Sequence, residues 1–485
     1  MRVLFVISDV FMSEPLGSMQ LSAVCKQKGH STRFMALIHH DIVDQLNEYQ
    51  PDLVAYSTMT PDAHLFASAD QRVKQWKKDN RSSLVRIMGG PHATFFPEIL
   101  DACALDGVCI GEGDRAIAAV LDRVEAGKPL DGIPNIITLA DKTHRKELIT
   151  DLDSLPFVDR DVYYEAFPRY RAVGLRSISA SRGCPYHCTY CHNHRFNEIF
   201  KGCGPVVRRR SPELVIKELQ EVIQKFQPVA FFRFADDTLT HKVDPWFEDL
   251  LGRYRRDIHV PFYCLMRSNT LTEDAAKLLS DSGCRSIAMS VETGGEKARN
   301  EILKRNLADD MVRNSYKIAR KYKLATYANT MLGLPGTTLK DDFYSFRFSR
   351  SLGITVPLFG IFCPYPRTEL AQYAIDNGML DAETDVCIKP TNTSVLNCYT
   401  VKEKNIQRRL SYLAPVFSLL PAWFDGMLNV LVRLPFDRLY VFISAVCVSY
   451  RTSRKVFPGI YPRSLKNLIM VARDAVRLLT QRRGK

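Results

Sequence analysis

The sequence predicts an α/β protein with two successive runs of alternating strands and helices, followed by a mostly helical C-terminal region. Three observations carry this. Short β-type apolar runs recur through residues 1–140, each closed by small or polar residues. The same alternation resumes with a clearer rhythm from residue 175 to about 375. Beyond residue 400, long apolar stretches are interspersed with basic residues.

The 485 residues suggest about three domains. With 46% apolar and 25% charged residues, the composition is globular and excludes disorder, collagen and coiled coil. No run approaches the ~18 consecutive apolar residues of a membrane-spanning helix. The start, MRVLFVISDVFMSEP, reaches Ser8 and Asp9 before a signal-peptide core can form, so it reads as a first strand. Thirteen cysteines without a signal sequence lead us to expect the reducing cytosol, where clustered Cys means metal or catalysis.

In the first run, residues 2–7, 53–57, 85–88 and 107–110 read as buried parallel strands. They end in Ser8-Asp9, Ser57-Thr58-Met59-Thr60, Gly89-Gly90-Pro91-His92 and Gly111-Glu112-Gly113. Ligands of open α/β sheets bind at such carboxyl-end loops. The Gly turns lack the G-x-G-x-x-G spacing, so a dinucleotide is disfavoured. Pro129, Pro134, Pro156 and Pro168 mark a linker, taken as 141–174.

In the second run, strands are expected at 177–180, 229–234, 262–266, 286–290, 325–331 and 355–362. Between them, Ser211 before Pro212 and Thr272 read as helix N-caps, and Gly283 as a helix stop. Six βα units make a partial barrel, with its chemistry at the carboxyl ends of the strands.

The first of those ends carries Cys184-Pro185-Tyr186-His187-Cys188-Thr189-Tyr190-Cys191. Three cysteines at C-x3-C-x2-C in one loop, without a fourth nearby, suit an iron–sulfur cluster with one iron left open to a ligand. His192 or His194 completing a zinc site is the alternative. The loop resembles the cluster motif of radical S-adenosylmethionine (SAM) enzymes, with Tyr190 as the aromatic residue before the third Cys. Residues 1–375 resemble the subfamily with an N-terminal cobalamin-binding domain, which includes methyltransferases and magnesium-protoporphyrin cyclases. The resemblance implies a Rossmann-like cobalamin-binding domain at 1–140, a partial (β/α)6 radical SAM core at 175–375 and a helical region at 376–485. It also implies a 4Fe–4S cluster on Cys184, Cys188 and Cys191, bound SAM, and cobalamin.

Later strand ends supply the SAM contacts that the resemblance implies. Asp236 and Asp237 match the segment whose acidic group accepts from the methionine ammonium, or else they cap the next helix. Glu292 matches the ribose-binding residue. Arg305 would pair with the SAM carboxylate, or else is a solvated helix charge. Gly333 and Pro335 lie in a turn like the family's G-L-P-G-E-T turn near adenine, with Thr337 where Glu is usual. Arg367 stands where the family commonly has Gly, and could reshape the active-site rim and meet an acidic substrate group.

For cobalamin, the resemblance points to Ser57, Thr58, Met59, Gly89, Gly90, His92, Gly111 and Gly113. The glycines make room for the nucleotide tail, Met59 or a neighbour covers the lower face of cobalt, and His92 meets the corrin edge or caps its turn. No D-x-H-x-x-G motif follows Ile7, and Asp62-Ala63-His64 is a near miss after a later strand.

From Val401 to Lys485 there are 16 Lys/Arg against Glu403, Asp425, Asp437 and Asp474, a net charge of +12. The chain as a whole carries +13. Basic and apolar together read as a segment on a membrane surface or a lid over a greasy substrate, rather than a nucleic-acid patch. The alternative is a helical domain with a solvated basic face. The expected function is methyl transfer to an unactivated carbon through a 5′-deoxyadenosyl radical and methylcobalamin. Cyclisation or oxidation on the same cofactors stands second, and a non-catalytic cobalamin sensor is remote. The expected partners are a small-molecule substrate (lipid, isoprenoid or porphyrin-like) and a reductant such as flavodoxin or ferredoxin. No residue is assigned to hydrogen abstraction itself.

Overall fold

The computed structural model describes residues 1–10, 14–80, 82–382 and 393–460. The chain divides into two compact units, the first holding residues 1–172 and 196–210, the second 173–195 and 211 onward.

The first unit is built on a six-stranded sheet ordered β2-β1-β3-β4-β5-β6. The strands are β1 (Arg2–Ile7), β2 (Ser31–Ala36), β3 (Leu53–Ser57), β4 (Val85–Gly89), β5 (Gly107–Cys109) and β6 (Ile136–Ile137). All are parallel except β6, which runs antiparallel to β5. The expectation of four strands omitted β2 and β6. β2 is an edge strand whose first half, Ser-Thr-Arg, is not buried, so it shows no continuous apolar run. β6 has only two residues. The 2-1-3-4-5 order places the topological switch between β1 and β3, at the loops after Ile7 and Ser57.

Residues 141–172 are not a free linker. Ile149 N donates to the Glu112 carboxylate at 3.0 Å, Tyr164 Oη to Glu14 at 2.7 Å, and Tyr170 Oη to the Val10 carbonyl at 2.8 Å. The prolines therefore lie within a folded part of the unit, with Pro168 opening a short helix (Pro168–Arg171). Residues 196–210, which follow the cysteine loop in sequence, also belong to this unit: Arg208 Nη1 reaches Glu112 at 2.8 Å. The Phe200 ring fills the space beside Gly111, where an added Cβ would lie 2.2 Å from the ring at a φ of +87°. Overpacking at a left-handed position predicts that Gly111→Ala costs about 1–3 kcal/mol, read as a lowered denaturant midpoint.

The second unit contains six parallel strands paired in chain order. They are β7 (Leu175–Ile178), β8 (Phe231–Phe234), β9 (Phe262–Leu265), β10 (Cys284–Ala288), β11 (Ala325–Leu332) and β12 (Val356–Ile361). Ser211 and Thr272 cap their helices, accepting from Leu214 N and Ala275 N, and Gly283 ends the second at φ +94°.

The C-terminal region is helical and part of this unit. Helix Val401–Phe417 packs on β12, and its Ile406, Leu410 and Phe417 share one core with Leu332, Phe346 and Phe359. Residues 452–460 then pass beneath the sheet. Ser286 Oγ donates to the Val456 carbonyl at 2.6 Å, and Gly174 N to the Ile460 carbonyl at 2.9 Å. Phe457 packs edge-on against Phe231. Gly174 and Phe231 lie at the amino ends of β7 and β8, the ends opposite those expected to carry chemistry, and Ser286 lies mid-way along β10.

Candidate active site

β7 stops at Ile178, and the chain turns through Gly183 at φ +94° into the cysteine loop. Thr189 pins that loop: its N and Oγ1 donate to the Leu303 and Ile302 carbonyls at 3.3 and 2.7 Å, and its carbonyl accepts from Leu370 N at 2.9 Å. Tyr190 turns inward against the core of Leu303, Leu334, Phe362 and Leu370. Cys184, Cys188 and Cys191 form no disulfide among the described residues. Burial pushes the Cys191 thiol up to about 12 and raises that of Cys184, so without a bound cation these sulfurs hold their protons. Among the described residues no three His, Cys, Asp or Glu side chains close around a single ion. A multi-iron cluster takes one thiolate per iron, which sets its sulfurs farther apart. The zinc candidates are engaged elsewhere: His194 Nδ1 lies 3.0 Å from His187 Nδ1, and the His192 ring packs against Tyr365.

Beside the loop lies a buried charged group. Arg305 Nη1 is 3.3 Å from Glu292 Oε1 and donates to the Ser290 carbonyl at 3.0 Å. The Tyr190 hydroxyl donates to Glu292. Burial pushes the Glu292 carboxyl up, and Arg305 and Tyr190 pull it back. The backbone is strained here: Glu292 has φ +66°, and Lys304 and Asn306 on either side of Arg305 have φ +50° and +52°. Non-glycine residues hold such angles only where their surroundings impose them, most often at functional sites. Arg305 is thus a buried partner of Glu292 and not a solvated helix charge.

The adjacent aspartates have separate roles. Asp236 is buried and accepts from Ala180 N at 3.1 Å and Ser181 Oγ at 2.5 Å, and burial raises its carboxyl to about 6. It therefore ties β8 to the end of β7 and caps no helix. Asp237 is exposed, with its charge near Cys184 and Cys191, and is the member of the pair placed to meet a ligand.

Arg267 and Ser268, just past β9, carry no motif and are absent from the sequence-derived set. Arg267 lies over the Tyr186 ring at 3.9 Å, donates to the Arg305 carbonyl, and faces Cys188. Burial and the neighbouring Arg305 charge pull its guanidinium down. Arg267 Nε, Ser268 Oγ and Arg305 Nε are buried without hydrogen-bond partners among the described residues. Two cations with orphaned donors beside three thiols suit an anionic cluster and a carboxylate-bearing ligand. Their one sequence signal was position at a strand's carboxyl end.

The turn at Gly333 and Pro335 is held from the C-terminal region. Gly333 N donates to Asp342 at 2.8 Å, and Gln407 Nε2 donates to the same carboxylate at 2.9 Å. Tyr399 Oη donates to the Leu334 carbonyl at 2.7 Å and meets Thr337, the residue in the place of the usual Glu. Burial raises the Asp342 carboxyl from 3.8 to about 7. An acid whose folded pKa is raised stabilises the fold at low pH and loses that contribution as pH rises through the folded pKa. Stability should therefore fall between about pH 4 and 7, and Asp342→Asn should flatten that part of a urea-midpoint profile against pH. Arg367 has φ +65°, so its backbone keeps a glycine-like conformation while presenting a guanidinium-bearing side chain.

In the first unit, Ser57, Thr58, Met59, Gly89, Gly90, His92, Gly111 and Gly113 gather at the carboxyl ends of adjacent strands β3, β4 and β5. Gly90, at φ +91°, lets its chain pass the Thr58 backbone, with an added Cβ only 2.8 Å away. At Gly111 the space a Cβ would take is filled by the Phe200 ring, so this glycine serves internal packing. The His92 ring is buried and stacked on Phe96, and the His92 backbone N–H donates to the Thr58 carbonyl at 3.0 Å. Asp62 accepts from Ser8 Oγ at 2.7 Å. Met59 is 54% exposed, and the neighbouring Thr58 Oγ1 is buried without a partner among the described residues. An apolar thioether beside an orphaned hydroxyl fits one face of a large, partly apolar cofactor.

The sequence model of the B12 binding domain matches residues 3–121, and that of the Radical SAM superfamily matches residues 178–346. The chain is a cobalamin-dependent radical SAM enzyme. Its cofactors are a 4Fe–4S cluster, SAM and cobalamin. This enzyme is 25% identical over 383 residues to an uncharacterized methyltransferase of Pyrococcus horikoshii, covering 76% of this chain and 79% of that one. It is 23% identical over 405 residues to the cytidylyl-2-hydroxyethylphosphonate methyltransferase of Streptomyces wedmorensis, covering 74% and 73%. It is 20% identical to the anaerobic magnesium-protoporphyrin IX monomethyl ester cyclase of Rubrivivax gelatinosus, covering 69% and 60%. The fold matches OxsB, a cobalamin-dependent SAM radical enzyme, with a TM-score of 0.69 at 14% identity over 99% of this chain and 79% of that one. It also matches the methyltransferase TsrM of Kitasatospora setae, with a TM-score of 0.63 at 17% identity over 78% and 76%. As a radical SAM enzyme it needs a reductant.

Proposed function

We propose that this enzyme is a C-methyltransferase acting on an unactivated carbon of a polycyclic, isoprenoid or porphyrin-like molecule. The observation that carries the reading is that its methyltransferase relatives align over more of both chains than the cyclase does. When bound, the cluster and SAM supply a 5′-deoxyadenosyl radical, and cobalamin supplies the methyl group.

The chain's own residues bind, orient and shield. Cys184, Cys188 and Cys191 would hold three irons, and Thr189 fixes the loop that presents them. Arg267 offsets negative charge at the cluster. Asp237 would accept from the SAM ammonium and Arg305 donate through Nε to its carboxylate. Glu292, oriented by Tyr190 and Arg305, would accept from the ribose hydroxyls, and the turn at Gly333 and Pro335 would flank adenine. Met59 would cover the lower face of cobalt, with Ser57, Thr58, Gly89, Gly90 and Gly113 along the corrin. Arg367 would meet an acidic group of the substrate. A ferredoxin or flavodoxin would deliver the electron.

The test is an oxygen-free reaction with reconstituted cluster and cobalamin, a reductant, methyl-deuterated SAM and fractionated host extract. Methyl transfer predicts 5′-deoxyadenosine, S-adenosylhomocysteine and a product carrying the deuterated methyl. Deoxyadenosine with an unlabelled product of changed mass would overturn this reading in favour of cyclisation or oxidation.

A further inference from the structure

Among the described residues, no helix is long and apolar enough to cross a membrane. Helix Asp437–Arg451 has 15 residues and spans about 22 Å, against a hydrocarbon core of ~30 Å. Its inner side, Tyr440, Ser444 and Ala445, is buried on the second unit. Its outer side repeats Leu439, Phe442, Ile443, Val446 and Tyr450, all exposed, at the spacing of a single helical face. The preceding segment extends the surface with Val430 and Phe436, at 59% and 53% exposure, and with Trp423 at 75%. More than half of the exposed large apolar side chains among the described residues lie between Leu419 and Tyr450. Such concentration is not the scatter of a solvated surface.

Charge identifies what covers it. The two acids of this stretch are engaged by the rest of the unit: Asp425 by Arg350, and Asp437 by Arg408 and Arg409 at 2.9 and 3.3 Å. The exposed bases Arg433, Arg438, Arg454 and Lys455 have no acidic partner among the described residues. A second copy of this face would bring these cations against each other. Residues 461–485 carry seven Lys/Arg and one acid, so covering the face with them would add to the same repulsion. An anionic lipid surface satisfies both features, accepting the apolar stripe between acyl chains and the bases at headgroup level, with Trp423 at the interface.

We propose that the face formed by residues 423–450 docks on an anionic membrane, lying in the interface without crossing it. The proposal stands apart from the methyl-transfer reading, since it predicts vesicle binding whatever reaction the enzyme performs.

The test is co-sedimentation of the full-length enzyme with phosphatidylcholine vesicles and with vesicles containing phosphatidylglycerol. Binding to the anionic vesicles is expected, weakened at least 10-fold by raising salt from about 0.1 to about 1 M. Phe442→Glu/Val446→Glu, with a circular dichroism spectrum like that of the parent, should lose at least 10-fold in partitioning. Arg433→Glu/Arg438→Glu should lose binding without altering the apolar stripe. The proposal is overturned if the parent stays in the supernatant, or if the Glu variants sediment like the parent, which would assign binding to residues 461–485. A dimer of the parent in equilibrium sedimentation, abolished by Phe442→Glu/Val446→Glu, would also overturn it by showing a second copy on the face.

Discussion

Replacing Cys188 with Ala is expected to leave the chain folded and its iron site empty. The loop is anchored by Thr189 contacts to Ile302, Leu303 and Leu370, none of which involves the sulfur, so the circular dichroism spectrum should match the parent. Iron per chain should fall to background after reconstitution, and 5′-deoxyadenosine formation by about three orders of magnitude or more, roughly 4 kcal/mol of barrier. Two cysteines cannot hold the cluster with the geometry that leaves one iron open to SAM. A variant that kept its iron and nucleoside output would remove this loop from the chemistry.

Arg305→Ala should be the most damaging single change to stability near the site, costing about 3–5 kcal/mol, because it leaves Glu292 buried with no cation. Arg305 is buried, and its contacts with Glu292 Oε1 and the Ser290 carbonyl disappear together. The cost should grow with pH. Losing the cation pushes the already raised Glu292 carboxyl higher, and a raised acid loses its stabilising share as pH climbs through the folded pKa. Urea midpoints measured across the pH range should diverge from the parent toward alkaline pH. Adding Glu292→Gln should recover much of the loss, since a neutral amide carries a far smaller desolvation penalty. If the double variant is as unstable as Arg305→Ala, the two residues are not a coupled pair.

Much of the fold was legible because it is written in short-range patterns. Burial on both faces turns β1 and β3 into continuous apolar runs, and Ser211, Thr272 and Gly283 punctuate the helices of the second unit. β2 escaped notice because an edge strand needs no such run. In the site, Cys184, Cys188 and Cys191 were visible as types in a spacing, and Glu292 through the family resemblance of its strand end. Arg267 and Ser268 were not, since a lone Arg-Ser has no motif until a fold buries it beside Cys188 and Arg305.

By itself, then, the sequence determined the two βα runs, the cysteine loop and its cofactors, and the basic, apolar character of the chain's end. Tertiary structure alone decided how these parts are used. It packed residues 141–172 and 196–210 into the first unit, joined Gly333 to Gln407 through Asp342, and carried residues 452–460 under the strands. It also separated Asp236, locked to the end of β7, from Asp237, which faces the thiols. The reason is range. Hydropathy periods and cap residues act over a few positions, whereas Ser286 with Val456 or Gly174 with Ile460 are pairings across hundreds of residues. Only the closed chain brings such pairs together, and only there does burial separate a structural carboxylate, Asp236, from an exposed one, Asp237.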